Sequence, residues 1–202
     1  MKKTVLFFTL IIFSSVILTS CVDIVQSINF KDGKYKMDYR ITISKATLKL
    51  ADTDFDSFYT EDFDDLPNNT QFEKIDTEFD SGIAISFLIE PRTSNEEFKE
   101  FLPKTLGNGK IKIPLFAAKE ISESINDADG GDYAQITGAF FASSKWRVYI
   151  AKKIIPSISS ACLRYKYGAN DLSFYEIGET YCIEIPLLLI SKDSYLELEK
   201  TH

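Results

Sequence analysis

Few side chains in this chain of 202 residues are of the types that most often carry catalysis or bind metal ions. The only histidine is His202, the final residue, and terminal residues are seldom fixed tightly enough to act in a site. Ser-His-Asp catalysis, Cys-His catalysis and histidine-bound zinc are therefore excluded. Most hydrolase mechanisms are excluded with them, and the groups that we consider next are the carboxylates and the three cysteines Cys21, Cys162 and Cys182.

Two groups of aspartates have spacings that could suit calcium: Asp52, Asp54 and Asp56, and then Asp127, Asp129 and Asp132. The first group occupies the first, third and fifth positions of an EF-hand loop. However, Ser57 stands where that loop needs glycine, and Phe63 stands where it needs a bidentate glutamate. We expect a solvated helix start and a polar loop here, with a calcium site of another type as the alternative.

Paired carboxylates could also serve a glycosidase, in which two acids flank a sugar cleft. Some pairs are inevitable among 30 acidic residues, and no spacing singles one out. We therefore expect no catalytic residues, no metal and no cofactor. A histidine-free enzyme that uses carboxylates is the weakest of the alternatives.

The first cysteine follows a leader of distinct composition. Lys2 and Lys3 make its start positive, and the run 5–18 is apolar apart from one threonine and two serines. Such a run suits the core of a signal peptide and is short for a membrane span, which takes about 20 apolar residues. Small residues then precede the cysteine in Leu18-Thr19-Ser20-Cys21.

The order and spacing of these parts resemble the lipobox of bacterial lipoproteins. The resemblance implies that residues 1–20 are a signal peptide, that cleavage occurs before Cys21, and that the Cys21 sulfur carries diacylglycerol. A further acyl chain, such as palmitate, often modifies the new amino group. Two or three chains hold a protein stably at a membrane, whereas one holds it marginally. An uncleaved N-terminal anchor is the alternative.

The body from 21 to 202 is thus expected to be an exported domain, tethered to a bacterial membrane through Cys21. Val22 follows the cysteine, where the enteric pattern for inner-membrane retention has aspartate. The outer membrane is therefore favoured, if the cell has one.

The other two cysteines, Cys162 and Cys182, fall in separate apolar segments joined by a turn-rich stretch around Gly168. An extracytoplasmic location permits a disulfide between them, and closing a loop of about twenty residues would stabilise the fold by roughly 3 kcal/mol. Two buried free thiols are an equally weighted alternative.

The net charge of the whole chain is −7, from 23 basic and 30 acidic side chains. Removal of the leader takes away Lys2 and Lys3 and makes the mature part more acidic. Nucleic acid and anionic lipid surfaces both require clustered Lys and Arg, so neither is an expected partner. The length suits one domain, or at most two small ones, and is enough for a real core.

The body shows several strand patterns. Tyr35, Met37, Tyr39, Ile41 and Ile43 alternate with polar residues, which predicts a strand in hairpin with 24–30 across a turn at Asp32-Gly33. Residues 72–79 and 83–89 predict a second hairpin around Asp80-Ser81-Gly82. Gly107-Asn108-Gly109 predicts a turn into a strand with Ile111 and Ile113. Further strands are predicted at 133–141, 145–151, 172–177 and 180–190, and the segment 152–167 is not assigned.

Three short helices are also predicted. The first covers 51–66 and ends before Pro67. The second begins at a capping box with Ser94 as the cap and Glu97 three residues later, and ends at Pro103. The third covers 116–125. Together these patterns predict an α+β fold, a single domain with a mostly antiparallel β-sheet and about three short helices.

A second resemblance concerns the whole body. The cysteine leader, the early turn at Asp32-Gly33, the acidic helix ending at Leu66-Pro67 and the late strand 181–186 resemble the LppM-like domain of bacterial lipoproteins. The resemblance implies a mixed α/β domain that handles lipid or envelope glycolipid.

We therefore expect a non-catalytic binding or interaction module of the cell envelope, held at a membrane by its lipid anchor and recognising a protein partner. This hypothesis predicts a compact core and an exposed apolar patch of roughly several hundred Å² or more. The alternative is a lipid or glycolipid carrier, which predicts an apolar cavity of about 300 to 1,000 Å³.

Overall fold

A computed structural model describes residues 22–50, 52, 54–58, 66–128 and 141–201. The leader, the lipobox and Cys21 lie outside these residues, as do most of the predicted strand 133–141 and the middle of the predicted helix 51–66. The strands, in chain order, are β1 (Val22–Lys31), β2 (Lys34–Ser44), β3 (Gln71–Asp76), β4 (Asp80–Ile89), β5 (Lys104–Gly107), β6 (Lys110–Pro114), β7 (Lys145–Ala151), β8 (Ile158–Tyr165), β9 (Gly168–Leu172), β10 (Phe174–Ile177), β11 (Thr180–Pro186) and β12 (Tyr195–Lys200). The helices are α1 (Lys45–Leu50), α2 (Glu96–Glu100) and α3 (Ala118–Ala128), with short 3-10 helices at Phe55–Phe58 and Leu187–Leu189.

The strands form two sheets. The seven-stranded sheet has the order β10-β11-β7-β1-β2-β4-β3, and the five-stranded sheet has the order β5-β6-β12-β8-β9. Neighbouring strands are antiparallel except for β1 and β7, which run parallel with Asp23 opposite Lys145. The pairings place the start of β1 next to the start of β7 and next to the end of β2, and the end of β11 lies next to the start of β7. We call this end of the larger sheet, where β1 begins at Val22, the Val22 end.

The two sheets share one hydrophobic core. Its fully buried side chains include Ile24, Trp146, Ile183 and Ile185 from the larger sheet and Ile113, Leu163 and Leu196 from the smaller one. Gln26 joins the sheets within this core: its Nε2 donates to the Pro114 carbonyl at 2.8 Å, and its Oε1 accepts from the Phe116 N–H at 3.0 Å. A buried amide is tolerated there because both ends of it are hydrogen-bonded.

The first predicted hairpin is confirmed. Val22 to Lys31 pairs with Lys34 to Ile43 without a break in register. Asp32 and Gly33 form the turn with φ values of 53° and 78°, the left-handed conformation that a two-residue hairpin turn requires.

The second hairpin is also present, but its predicted turn is wrong. Thr77, Glu78 and Phe79 make the turn, and Asp80-Ser81-Gly82 begin β4 instead. The Thr77 hydroxyl accepts from the N–H groups of Phe79 and Asp80 at 3.2 and 2.9 Å, so a threonine supplies the turn chemistry that we had assigned to the glycine.

Two predictions about the helices need correction or extension. The cap of α2 is Asn95, not Ser94, because the Asn95 side chain accepts from the Glu97 N–H at 2.8 Å. Helix α3 begins two residues later than predicted and extends through Ala128, into part of the predicted loop. Residues 55–58 of the predicted acidic helix form a 3-10 turn, and residues 59–65 are outside the described part.

The last third contains more strand than the sequence indicated. The unassigned segment contains β8, and β12 was not predicted at all. The predicted strand 180–190 ends at Pro186 and is followed by a 3-10 helix. The chain is thus mostly β, with short helices and two sheets, which agrees with the α+β expectation in its coarser form. Within the described part of the chain, no helix has the length and hydropathy needed to cross a bilayer.

Candidate functional site

The face of the seven-stranded sheet that lies opposite the core carries a band of polar and charged side chains. Paired residues on neighbouring strands share a face, so the register places Val25 directly between Arg40 of β2 and Arg147 of β7. Arg147 is in turn opposite Glu184 of β11. We call this the outer face.

Asp23 joins three strands on the outer face. Its carboxylate accepts from Arg147 Nη1 at 2.6 Å and from Arg40 Nη2 at 3.3 Å. The Asp23 side chain is 24% exposed, so these hydrogen bonds are partly shielded from water. Charge-assisted bonds of this kind are stronger than neutral ones. The start of β1 is therefore tied to both of its neighbours by side chains as well as by the backbone.

Glu184 extends the same network to β11. It accepts from Lys145 Nζ at 2.5 Å and from Arg147 Nε at 3.3 Å. The hydrogen bond from Lys145 is the main reason that the pKa of Glu184 lies below its ordinary value. Glu184 thus stays ionised near neutral pH and acts as an acceptor, which is opposite to what a general acid requires.

A groove of about 750 Å³ lies on the outer face at the Val22 end. Strands β1, β2 and β7, the start of α1 and the β3–β4 turn contribute to its walls. Its charged lining residues are Asp23, Arg40, Lys45, Glu78, Asp80 and Arg147. The apolar lining residues include Ile75 and Phe79. We call this the outer groove; it presents both signs of charge beside a small apolar wall.

Beyond Glu184, the outer face carries Cys182 between two tyrosines. Cys182 is opposite Tyr149 of β7 and Tyr175 of β10, and it is fully buried. A hydrogen bond with the Cys182 thiol, burial and a hydrogen bond with Glu184 together raise the pKa of Tyr175. Burial and the same thiol raise the pKa of Tyr149. Both tyrosines therefore keep their protons at neutral pH.

The second body cysteine lies in the other sheet. Cys162 of β8 is opposite Glu197 of β12, and burial raises the pKa of its thiol. Both Cys162 and Cys182 are buried free thiols in the structure. Because they occupy different sheets, the structure does not bring the two predicted disulfide partners together.

Glu197 is the centre of a smaller ion cluster next to Cys162. Its Oε1 accepts from Lys110 Nζ and from Arg164 Nη2, both at 2.9 Å, and its side chain is 11% exposed. Burial alone would raise the pKa of Glu197, but the hydrogen bonds from Lys110 and Arg164 outweigh burial and lower it. This cluster fixes strands β6, β8 and β12 to one another.

The aspartates considered for calcium are not assembled into a site where they are described. Asp56 instead pairs with Lys74 through both carboxylate oxygens, at 2.7 and 2.8 Å. Asp129 and Asp132 lie outside the described residues, and nothing is described of the Asp127 side chain. Among the side chains that the structure does describe, no three His, Cys, Asp or Glu residues converge as metal ligands would.

The residues of the outer groove were not singled out from the sequence. Asp23, Arg40 and Arg147 each occupy an alternate, non-core position in a strand, which is the usual pattern of a solvated face. Only the order of the strands in the sheet, in which β1 lies between β2 and β7, brings them together. No protein-family model matches the chain, and a comparison with curated proteins finds no similar sequence.

Proposed function

We propose that this chain is a bacterial envelope lipoprotein, exported and tethered through acylated Cys21, whose body is one α+β domain that binds a partner without catalysis. The outer groove is the proposed binding site. The observation that carries the binding role is the groove itself: about 750 Å³ of open space in which paired Asp, Arg and Lys side chains lie beside the apolar side chain of Ile75.

The chemistry of the lining favours a protein partner. Arg40 has an exposed guanidinium whose one described ionic contact, with Asp23, is 3.3 Å long. Arginine is enriched at protein interfaces and at their hot spots, and Arg40 lines the outer groove together with the apolar Ile75. A segment of partner chain with a carboxylate and an apolar side chain would match this pair of features.

A lipid or glycolipid carrier is the second candidate. The volume of the outer groove falls within the range of about 300 to 1,000 Å³ that is typical of ligand pockets. However, an acyl chain offers no hydrogen-bonding group to Arg40 and Arg147, and burying these charges against it would be costly. The charged lining therefore supports the protein partner over the acyl chain.

The test is site-specific photo-cross-linking in intact cells. A photoreactive phenylalanine derivative is placed at Ile75, which lines the outer groove, and as a control at Phe72, which lies on the opposite face of the same strand. We expect one discrete protein adduct from position 75 and none from position 72. We also expect Arg40→Glu to abolish the adduct and Lys166→Glu, in the β8–β9 turn, to leave it unchanged.

The same experiment separates the two candidates. A lipid-sized adduct at position 75, identified by mass spectrometry of the cross-linked peptide, would support the carrier instead of the protein-binding module. Equal protein adducts at positions 75 and 72, unaffected by Arg40→Glu, would contradict a specific role for the outer groove.

A further inference from the structure

The Val22 end of the larger sheet is attached to the proposed lipid anchor without a linker. Val22 is already the first residue of β1, and its N–H donates to Ser144 Oγ at 3.3 Å. Consecutive Cα atoms are about 3.8 Å apart, so the backbone of Cys21 is one such step from the sheet. If Cys21 is acylated, no linker separates the Val22 end of the sheet from the bilayer.

Exposed apolar side chains lie on both sides of β1 at this same end. Phe79, in the β3–β4 turn, is 70% exposed. Leu188 and Leu189, in the 3-10 helix that follows β11, are 51% and 36% exposed. Strand β4 and strand β11 are each two positions from β1 in the sheet, which is about 10 Å at the usual strand spacing.

Both apolar segments are held rigidly. The Lys45 N–H donates to the Phe79 carbonyl at 2.8 Å, and the Thr77 hydroxyl holds the turn from the other side. The 3-10 helix is fixed because Leu187 is fully buried and its N–H donates to the Ser144 carbonyl at 3.1 Å. Exposed apolar groups are therefore presented at fixed positions on both sides of β1.

The charges at this end are matched within the protein. Lys145 pairs with Glu184 at 2.5 Å, and Lys45 pairs with Asp76 at 2.6 Å. These two lysines thus already have carboxylate partners and are not free to attract anionic lipid. We therefore look to the apolar groups for contact with a membrane.

We propose that Phe79, Leu188 and Leu189 form a bilayer-contacting surface, the Val22 rim, which inserts into the interface of a zwitterionic membrane on either side of the anchor. This proposal rests on the proposed acylation of Cys21. With one attachment at β1 and apolar contacts to both sides, the larger sheet stands with its Val22 end on the membrane, and the outer groove opens sideways just above the lipid headgroups.

The experiment uses the full lipoprotein, purified from membranes and reconstituted into phosphatidylcholine vesicles with or without brominated acyl chains. The buried Trp146 gives a baseline fluorescence, and a second tryptophan is introduced by Phe79→Trp or Leu188→Trp. The matched control is Ile177→Trp, because Ile177 is 49% exposed at the opposite end of the same sheet. Far-UV circular dichroism verifies that each variant is folded.

We expect brominated lipid to quench at least about half of the added fluorescence at positions 79 and 188 and almost none at position 177, since bromine quenches over short range. We also expect no change when a quarter of the lipid is made anionic. If the protein co-floats with the vesicles but quenching is equal at all three positions, or absent from all of them, the Val22 rim is overturned. The lipid anchor would still stand. Protein that fails to co-float would overturn both the anchor and the rim.

Discussion

The guanidinium of Arg147 on β7 lies 2.6 Å from the carboxylate of Asp23 on β1, and Asp23 is only two residues beyond Cys21. The parallel pairing of β1 with β7 makes this contact. A chain segment next to the proposed anchor is thus joined by an ion pair to a strand more than a hundred residues away in sequence.

Loss of the Asp23 carboxylate should weaken the fold. Asp23→Ala removes the partner of both Arg40 and Arg147, and we expect the free energy of unfolding to fall by about 2 kcal/mol. Urea denaturation of the detergent-solubilised protein, followed by Trp146 fluorescence, measures the change. Asp56→Ala is the control, because the side chains of Asp56 and its partner Lys74 are both mostly exposed and exposed pairs contribute little. Equal effects of the two substitutions would contradict the role of Asp23.

Gly82 should not tolerate a side chain. A Cβ atom at this position would collide with the Ile41 carbonyl oxygen, so β2 and β4 would have to separate. We expect Gly82→Ala to destabilise the protein by about 3 kcal/mol in the same urea assay. Gly178→Ala is a matched control, because its φ of 56° is unfavourable for alanine but no atom lies within 4 Å of the added Cβ. For Gly178→Ala we expect the free energy of unfolding to fall by about 1 kcal/mol. A larger loss for Gly178→Ala than for Gly82→Ala would contradict the close contact between β2 and β4.

Stability should fall in acid because of Glu197. Its pKa in the folded protein is lowered by Lys110 and Arg164, so the unfolded chain binds the proton more readily. The contribution of Glu197 is present above its unfolded pKa of about 4.3 and is lost as the pH falls through the lower, folded pKa. At pH 7, Glu197→Gln should cost about 2 kcal/mol, and below pH 4 the difference from the wild type should shrink. A pH-independent difference would refute this account.

The state of the two body cysteines can be counted directly. Because Cys162 and Cys182 are buried free thiols, we expect a thiol-specific reagent to label neither in the native protein and both after unfolding without reductant. Acylated Cys21 would not react. If unfolded protein shows no reactive thiol until a reductant is added, Cys162 and Cys182 are joined in a disulfide, and the strand assignment of one of them must change.

Local sequence patterns predicted the parts of the fold that local physics determines. Alternation in β2 and the Asp32-Gly33 turn both predicted the first hairpin, because a two-residue turn and a half-buried strand leave clear signals. The turn at Thr77 was misassigned because a threonine hydroxyl, which gives a weak sequence signal, replaces glycine chemistry there. Strand β12 was missed although Leu196, Glu197, Leu198 and Glu199 alternate in polarity, because the run is short and its partner strands β6 and β8 are distant in the sequence.

The candidate site was not predictable in the same way. Asp23, Arg40 and Arg147 come from three strands that are separated in the chain, and each alone is typical of a solvated strand position. Only the sheet order and the parallel register of β1 and β7 place them together. The position of Phe79 likewise depended on the correct turn, since the predicted hairpin placed it within a strand.

The central claim is that the mature chain begins at a lipidated Cys21. Mass spectrometry of the N-terminal tryptic peptide, from protein extracted from bacterial membranes, tests it most directly. We predict a peptide spanning residues 21–31 that carries diacylglycerol on Cys21 and is lost in the Cys21→Ala variant. An unmodified peptide spanning residues 4–31 would show that the leader is retained and the cysteine free, and it would contradict both the anchor and the membrane-contacting rim.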